Sequence, residues 1–312
     1  MSRGGNGAEP STPAGNTPLA QAAHLPSVRC PPRMLRMTPA RRILLPAIAL
    51  VLATASTAHP QDKTDGRELA IRPNPKATWD ASLRDVEKVL RSAASELWQY
   101  FPERRLEPIL VEPKGGPIVL FRRGPKGEYR VRLNTGSTYW CQYAFQFAHE
   151  FCHILCRYTE DEKSNKWFEE SLCELASLFV LRRMAETWKT DPPYPNWKDY
   201  AKHLKEYADK RIADTTFPPD GALATWYREN EAALRKNSTD RDKNRVVAGV
   251  LLPMFEEHPQ HWEAVTWLNT AASKEPRSFE QYLADWHNHC PSRHKAFVRQ
   301  VAAKFDVRLQ TD

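Results

Sequence analysis

The chain has 312 residues, with 45 lysines and arginines against 38 aspartates and glutamates, and a formal net charge of +7. Residues 1–58 contain six arginines and one glutamate, so they carry most of the excess positive charge. The rest of the chain is close to neutral, and the basic composition therefore gives no argument for binding to nucleic acid.

The N-terminal part predicts export. Residues 1–33 are rich in Pro, Gly, Ala and Ser and show no periodic apolar pattern, which is typical of segments without a packed core. A basic stretch then precedes an apolar run over residues 43–52 and small residues up to Ala58. This order is that of a secretory signal peptide, with translation expected to start at Met34 or Met37. The apolar run is shorter than the ~20 residues that span a bilayer. We therefore expect a secreted or periplasmic protein without a stable membrane span after cleavage; an uncleaved anchor is the alternative.

Residues 59–160 are expected to form an upper lobe with a small mixed sheet. The first predicted element is an amphipathic helix over residues 80–100, whose apolar residues recur at helical spacing. Short apolar or alternating runs then predict three strands, over residues 109–111, 118–121 and 129–133. The last of these strands is expected to be the edge on which an extended peptide lays its backbone.

The HEFCH stretch at 149–153 lies in a segment, residues 139–156, that is largely apolar and contains no Pro or Gly. This pattern predicts a mostly buried helix. Residues four apart share one face of a helix, so His149 and His153 can direct both imidazoles at one Zn²⁺. Glu150 lies on the adjoining face, where it can take a proton from a zinc-bound water. Two histidines and a glutamate inside a buried helix are costly unless a partner such as a metal satisfies them.

A catalytic zinc needs a third protein ligand and one open position. After a short polar break, Trp167 opens a second apolar helix that runs to about Trp188 and carries three acidic residues in its first turns. An HExxH helix followed by a Glu-bearing helix resembles the gluzincin metallopeptidases, the thermolysin-like and aminopeptidase-like group of zincins. The resemblance covers about 30 residues. Aligned on the tryptophan, it implies that Glu170 is the third zinc ligand, that Glu169 stands where the family has Asn, and that Glu174 orients the first histidine through its second ring nitrogen.

The chain departs from the family pattern in its spacing. Sixteen residues separate His153 from Glu170, slightly fewer than in familiar members. The G-x-M-x-N signature of exopeptidases is absent upstream, so the resemblance does not extend to aminopeptidase activity. The residues after His153 contain neither the Gly nor the third His of metzincins, which excludes that group.

Residues 161–312 are expected to form a mainly helical lobe that carries the third ligand, with helical segments near 197–212, 222–236, 242–256, 260–272 and 278–304. The resemblance also implies a downstream Tyr or His that stabilises the oxyanion. Tyr227 lies at a suitable distance in sequence, and His258 and His261 are further candidates. A packing or surface role is the alternative for all three.

The cysteines allow two interpretations. Five of them follow the leader, namely Cys141, Cys152, Cys156, Cys173 and Cys290. In an exported protein, Cys152 or Cys156 paired with Cys173 would join the two helices of the metal site by a disulfide. Buried free thiols are the alternative. A Cys2His2 zinc site drawn only from residues 149–156 is geometrically poor, because positions seven apart rise about 10.5 Å along a helix.

The sequence thus predicts an α+β, zincin-like fold and a secreted zinc-dependent metallohydrolase, which the resemblance makes a peptidase acting on peptides or proteins. His149, His153 and Glu170 would bind zinc, and Glu150 would be the general base. A zincin-like binding or cell-envelope interaction module with little or no turnover is the alternative. Such a module would be expected to lose Glu150 or a ligand, whereas this chain retains the full set. Cleavage of a non-peptide amide is a third possibility.

Overall fold

The computed structural model describes residues 69–160, 163–271 and 275–310. The predicted leader, residues 1–58, lies outside the described residues. Within them the fold is mixed α and β, mostly helical, with one small four-stranded mixed sheet. The prediction of an α+β fold with a small mixed sheet is thereby confirmed at this coarse level.

The sheet is short and has both parallel and antiparallel pairs. Its strands in chain order are β1 (Ile71–Pro73), β2 (Ile109–Glu112), β3 (Ile118–Val119) and β4 (Tyr129–Arg132). The spatial order is β1-β2-β4-β3, in which β3 alone runs antiparallel to its neighbour. The expectation that residues 129–133 form the edge is therefore wrong. The strand β4 is interior because β3 folds back along one side of it while β2 pairs with the other.

The helix α1 (Leu83–Trp98) covers the region that the periodicity predicted. Its buried residues recur at helical spacing and include Val86, Val89, Leu90 and Leu97. The strands β2 and β4 bury alternate residues, so one face of the sheet packs on the core. The helix α1 packs against β1 and against the next two helices.

Two helices form the centre of the molecule. The helix α2 (Trp140–Leu155) buries all its residues except Gln142, and α3 (Lys166–Thr190) is buried on every side over its first four turns. A helix that is apolar all round belongs inside a protein. Here α2 packs along α3, and α3 also contacts helices from the C-terminal part. The HExxH segment and the acidic turn of α3 therefore face each other within one continuous core.

The C-terminal part is helical, as predicted, with different boundaries. It contains a 3₁₀ segment (Pro195–Tyr200), α4 (Ala201–Ala213), α5 (Leu223–Lys236), α6 (Arg241–Glu257), a second 3₁₀ segment (Pro259–Trp267), α7 (Phe279–His289) and α8 (Ser292–Ala303). The single helix predicted over 278–304 is wrong. Cys290 is extended, with ψ of 137°, because the residue before a proline avoids the helical region, and Pro291 then caps α8. Among the residues that the structure describes, none of the helices combines the length and apolarity needed to cross a membrane.

Candidate metal centre

Two histidines and one carboxylate meet where α2 and α3 face each other. His149 and His153 lie one turn apart on α2, and their ring centroids are 5.1 Å apart. His149 Nε2 lies 3.2 Å from Glu170 Oε2, and His153 Nε2 lies 3.7 Å from Glu170 Oε1. All three side chains are buried. The structure therefore brings together the three residues that the sequence predicted as zinc ligands.

The electrostatics of this triad favour a positive charge at its centre. Burial would raise the pKa of Glu170, but the charge and hydrogen bond of His153, together with His149, hold it well below its usual value. Burial would lower the pKa of His153, and the neighbouring carboxylates of Glu170 and Glu169 raise it well above its usual value. Two imidazole nitrogens and one carboxylate are also a donor set of catalytic zinc sites. The residues present therefore fit a zinc ion.

Cys173 offers a second geometric option for a metal. Its sulfur and one ring nitrogen each from His149 and His153 all lie within 4.8 Å of one another. We favour Glu170 as the third ligand for two reasons. Its carboxylate oxygens lie at 3.2 and 3.7 Å from the two ring nitrogens. It also lines the cleft beside the histidines, whereas Cys173 is fully buried and does not line that cleft.

The second ring nitrogen of His153, Nδ1, is hydrogen-bonded to a buried carboxylate. Its Nδ1–H donates to Glu169 Oε1 at 2.5 Å, and Glu169 Oε2 accepts a hydrogen bond from Asn269 Nδ2 at 2.8 Å. Burial would raise the pKa of Glu169, but the charge of Lys166 and the bond to His153 keep it below its usual value. An imidazole that donates through Nδ1 presents Nε2 as a ligand. The family alignment placed Glu169 at the Asn position without assigning this role.

Glu174 does not take the role that the resemblance implied. Its Oε1 lies 3.4 Å from Arg245 Nε and 4.0 Å from Arg211 Nη1. The Nδ1 atom of His149 has no hydrogen-bond partner among the described residues. The expected contact is absent because two arginines, one from α4 and one from α6, draw the Glu174 carboxylate away from the histidine.

Glu150 lies beside the histidines at a small cleft. The cleft is lined by residues of the β3 region, α2, α3 and the start of α6, including Pro117, Ile118, His149, Glu150, His153, Glu170, Glu174, Thr239, Arg241 and Asn244. Its cavity volume is about 20 Å³, enough for one water molecule or one metal ion. Burial raises the pKa of Glu150, and the charges of the two histidines offset part of the rise.

Arg241 is a cleft residue that no sequence pattern indicates. It is the first residue of α6 and lies close enough to Glu150 to lower that carboxyl's pKa, and its side chain forms no ion pair or hydrogen bond with any residue in the described ranges. The start of α6 is fixed because Asn244 Oδ1 accepts from Ser171 Oγ of α3 at 3.4 Å. A half-buried cation without a side-chain partner among the described residues therefore faces the candidate metal site. Its position depends on the packing of α6 on α3, which no local pattern indicates.

The candidate oxyanion residues lie elsewhere. The Tyr227 ring stacks on Trp167 at 5.3 Å and packs against Phe279, within an aromatic cluster that does not line the cleft. His258 and His261 are also absent from the cleft lining, and His261 Nδ1 lies 3.0 Å from His294 Nδ1. The structure thus supports the packing alternative for Tyr227. The reason is that α5 turns its aromatic residue inward against α3 and α7.

Three cysteines of the two central helices, Cys152, Cys156 and Cys173, are free thiols, whereas Cys141 of α2 is disulfide-bonded. Cys152, Cys156, Cys173 and Cys290 are all buried and unoxidised. The disulfide that would have joined α2 to α3 is therefore not formed, and the alternative of buried free thiols holds for these four residues.

No protein-family model, curated protein or solved structure matches this chain. Its function must therefore be inferred from the site itself.

Proposed function

We propose that this protein is a zinc-dependent hydrolase that cleaves peptide bonds, with a zincin-like arrangement of its two central helices. The observation that carries the proposal is the meeting of His149, His153 and Glu170 within 3.2–3.7 Å, beside the buried Glu150 and at the wall of a cleft. A structural zinc site would be closed by a fourth protein ligand, whereas this cleft leaves one side open.

In the proposed mechanism, the metal ligands and Glu150 have different roles. When bound by the two histidines and Glu170, zinc supplies a Lewis acid that polarises the scissile carbonyl and lowers the pKa of water. Glu150 accepts the proton of the attacking water and delivers it to the leaving nitrogen. Its buried setting raises its pKa, which brings its proton affinity closer to that needed for both transfers.

We assign to Arg241 the role of stabilising the negative charge that develops on the substrate carbonyl oxygen. Gluzincins use a Tyr or His for this purpose, and Tyr227 is not at the cleft. A guanidinium that faces the site without a protein partner can donate to an oxyanion and is fixed in advance by its helix. The same position would also attract a substrate carboxylate, so the variant tests must separate kcat from KM.

A peptide is the substrate class that the surroundings favour. The edge strand β3 borders the cleft through Ile118, and an open strand edge can pair with an extended peptide backbone. The cavity of about 20 Å³ is too small for a peptide. We therefore expect the turn before α6, which contains Thr239, to move away from β3 when a substrate enters.

The test is the isosteric change Glu150→Gln, which removes the base and preserves the shape of the side chain. We expect bound zinc to stay at the level of the parent while hydrolysis of a mixed peptide library falls by about three orders of magnitude or more. Glu280→Gln, at an exposed glutamate of α7, is the matched control and should leave both quantities unchanged. Activity that survives Glu150→Gln would overturn the mechanism. Tight zinc binding without cleavage of any peptide by the parent would favour the binding-module alternative.

A further inference from the structure

An open cavity lies at the C-terminal end of α2, apart from the candidate metal centre. Its volume is about 500 Å³, within the range of about 300–1,000 Å³ that is typical of small-molecule sites. Three segments line it, namely residues 103–106 after α1, the hairpin that joins β3 to β4, and the residues that end α2. The cavity shares no lining residue with the cleft at the candidate metal centre.

The lining of this cavity is strongly positive. It contains four arginines, Arg104, Arg105, Arg123 and Arg157, and one acidic residue, Glu103. Arg105, Arg123 and Arg157 are exposed, and their side chains form no ion pair or hydrogen bond with any residue in the described ranges. Like charges that line one concave surface repel each other, and a bound anion removes that repulsion.

Arg157 occupies a position at which glycine is usual. Its backbone N–H donates to Ile154 O at 3.2 Å, and that of Tyr158 donates to His153 O at 3.1 Å. These bonds form the Schellman motif that ends a helix, and Arg157 has the left-handed backbone of that motif, with φ of 55°. A side chain is strained in this conformation, and no ion pair or hydrogen bond of the guanidinium with the described residues offsets the strain. Such strain indicates a functional role for the side chain.

The walls of the cavity are held in place by contacts within the protein. The Tyr158 hydroxyl donates to Leu120 O at 2.7 Å and joins the end of α2 to the hairpin. The Arg104 guanidinium donates to a carbonyl oxygen in the last turn of α2 at 2.7 Å. The Arg123 guanidinium lies over the Tyr129 ring, 3.1 Å from its centroid. Stacking of this kind orients a guanidinium and leaves its charge uncompensated. The cavity is therefore formed before a ligand binds.

The chemistry of this lining suits a phosphate group. The planar fork of N–H donors in a guanidinium matches two oxygens of a phosphate or a carboxylate. Several arginines without counter-ions suit a group with more than one negative charge, and a phosphate monoester carries about −1.5 to −2 charges at pH 7. The rings of Phe121 and Tyr158 also line the cavity, 5.4 Å apart, and offer an apolar surface to the rest of a ligand.

We propose that this cavity binds a small molecule that carries a phosphate group. Arg123 and Arg157 bind the phosphate oxygens, and the rings of Phe121 and Tyr158 contact the remainder of the molecule. Arg104 stays bonded to α2 and adds positive charge. The site does not depend on the proposed hydrolase, because none of its residues belongs to the candidate metal centre.

The experiment is isothermal titration calorimetry of the full chain in phosphate-free buffer at constant ionic strength, with phenyl phosphate as the probe. We expect saturable binding of one phenyl phosphate per chain and no binding of phenol, which has the ring without the charge. Inorganic phosphate and citrate are titrated in separate arms. Inorganic phosphate that binds as tightly as phenyl phosphate would identify the free ion as the ligand, and weaker binding of it would identify a phosphorylated ring compound.

Variants locate the bound phosphate. Arg123→Gln and Arg157→Gly each remove one guanidinium and should weaken phenyl phosphate binding by about tenfold or more. Arg122→Gln, at an exposed arginine that does not line the cavity, is the matched control and should change the affinity by less than about twofold. Arg157→Gly also removes the backbone strain, so its midpoint in urea denaturation should lie above that of the parent. A more stable variant that binds less tightly separates loss of a ligand contact from loss of the fold.

Four results would overturn the proposal. The first is the absence of saturable phenyl phosphate binding by the parent. The second is equal weakening in Arg122→Gln and Arg123→Gln, which would reduce the effect to general surface charge. The third is loss of binding in Arg241→Ala with none in Arg123→Gln or Arg157→Gly, which would place the phosphate at the candidate metal centre. The fourth is tighter binding of citrate than of phenyl phosphate, which would make the site one for polycarboxylates.

Discussion

The two halves of the candidate metal centre differ in how completely their polar groups are hydrogen-bonded. On the buried side, His153 Nδ1 bonds Glu169, which in turn bonds Asn269. On the open side, His149 Nδ1 has no hydrogen-bond partner among the described residues, and Arg241 faces the cleft without a counter-ion. A site that holds an ion and also binds and releases a substrate needs some polar groups that are fully hydrogen-bonded and others that are free. In the hydrolase that we propose, the buried half would fix the geometry of the ligands, and the open half would leave donors free to bind a substrate.

Among the substitutions that compare the two sides, Arg241→Ala on the open side is expected to have the largest effect. Loss of a donor directed at the developing negative charge should lower kcat/KM for peptide hydrolysis by about 10²–10³-fold. Zinc affinity should stay the same, because Arg241 touches none of the ligands. Steady-state kinetics with separate kcat and KM, beside a zinc titration, measure both quantities.

Lys243→Ala is the control for Arg241→Ala, because Lys243 lies two residues further along α6 and pairs with Asp240 at 2.8 Å. Its activity should stay within about twofold of the parent. A loss confined to KM would show that Arg241 binds a substrate carboxylate and does not stabilise the oxyanion. Equal losses in both variants would mean that the effect comes from the helix as a whole.

A substitution of Arg104 tests how much the hydrogen bonds at the C-terminal end of α2 contribute to stability. It donates to the carbonyls of Ile154 and Leu155 and to Thr266 Oγ1, at 3.1 Å in the last case. Arg104→Ala leaves these acceptors buried and should lower the free energy of unfolding by about 2–4 kcal/mol in urea denaturation. Arg105→Ala, at the exposed neighbour, should change it by less than about 0.5 kcal/mol. Equal effects would show that α2 is held by packing alone.

Glu169→Ala tests the support of His153 directly. Without the carboxylate, the imidazole loses the bond that fixes its ring and its tautomer, and zinc affinity should fall by about 10–100-fold in competition with a chelator. Glu174→Gln is the comparison, because Glu174 pairs with Arg245 and Arg211 rather than with His149. It should change zinc affinity by no more than about threefold. A larger loss in Glu174→Gln would restore the role that the family resemblance implied.

The sequence predicted the parts of this centre that depend on local geometry. His149 and His153 share a helix face because they are four residues apart. Outside the centre, the helix break at Pro291 follows from a local rule of the same kind, because the residue before a proline avoids the helical region. The partner of Glu174 could not be predicted, because Arg245 lies 71 residues away along the chain. The interior position of β4 likewise depends on which strands pair, and pairing is a property of the assembled sheet.

The position of Arg241 could not be predicted from the sequence either. Its residue type and its place at the start of a predicted helix are ordinary, and only the packing of α6 on α3 brings it to Glu150. By contrast, the expectation for Tyr227 rests on its distance along the sequence, and that distance does not indicate where the side chain lies in the fold. Candidate residues for catalysis are thus predictable when a helix fixes them relative to one another, and unpredictable when a tertiary contact does.

Tyr227→Phe is expected to have the smallest effect. The ring packs on Trp167 and Phe279, and phenylalanine keeps those contacts while it removes only the hydroxyl. Activity and zinc affinity should stay within about twofold of the parent, and the free energy of unfolding should fall by about 1 kcal/mol at most. Tyr227→Ala should lower the free energy of unfolding by about 3–5 kcal/mol, because it leaves a cavity in the aromatic cluster. A fall in kcat of two orders of magnitude in Tyr227→Phe, with stability unchanged, would instead require the hydroxyl to reach the cleft during turnover and would transfer the oxyanion role from Arg241 to Tyr227.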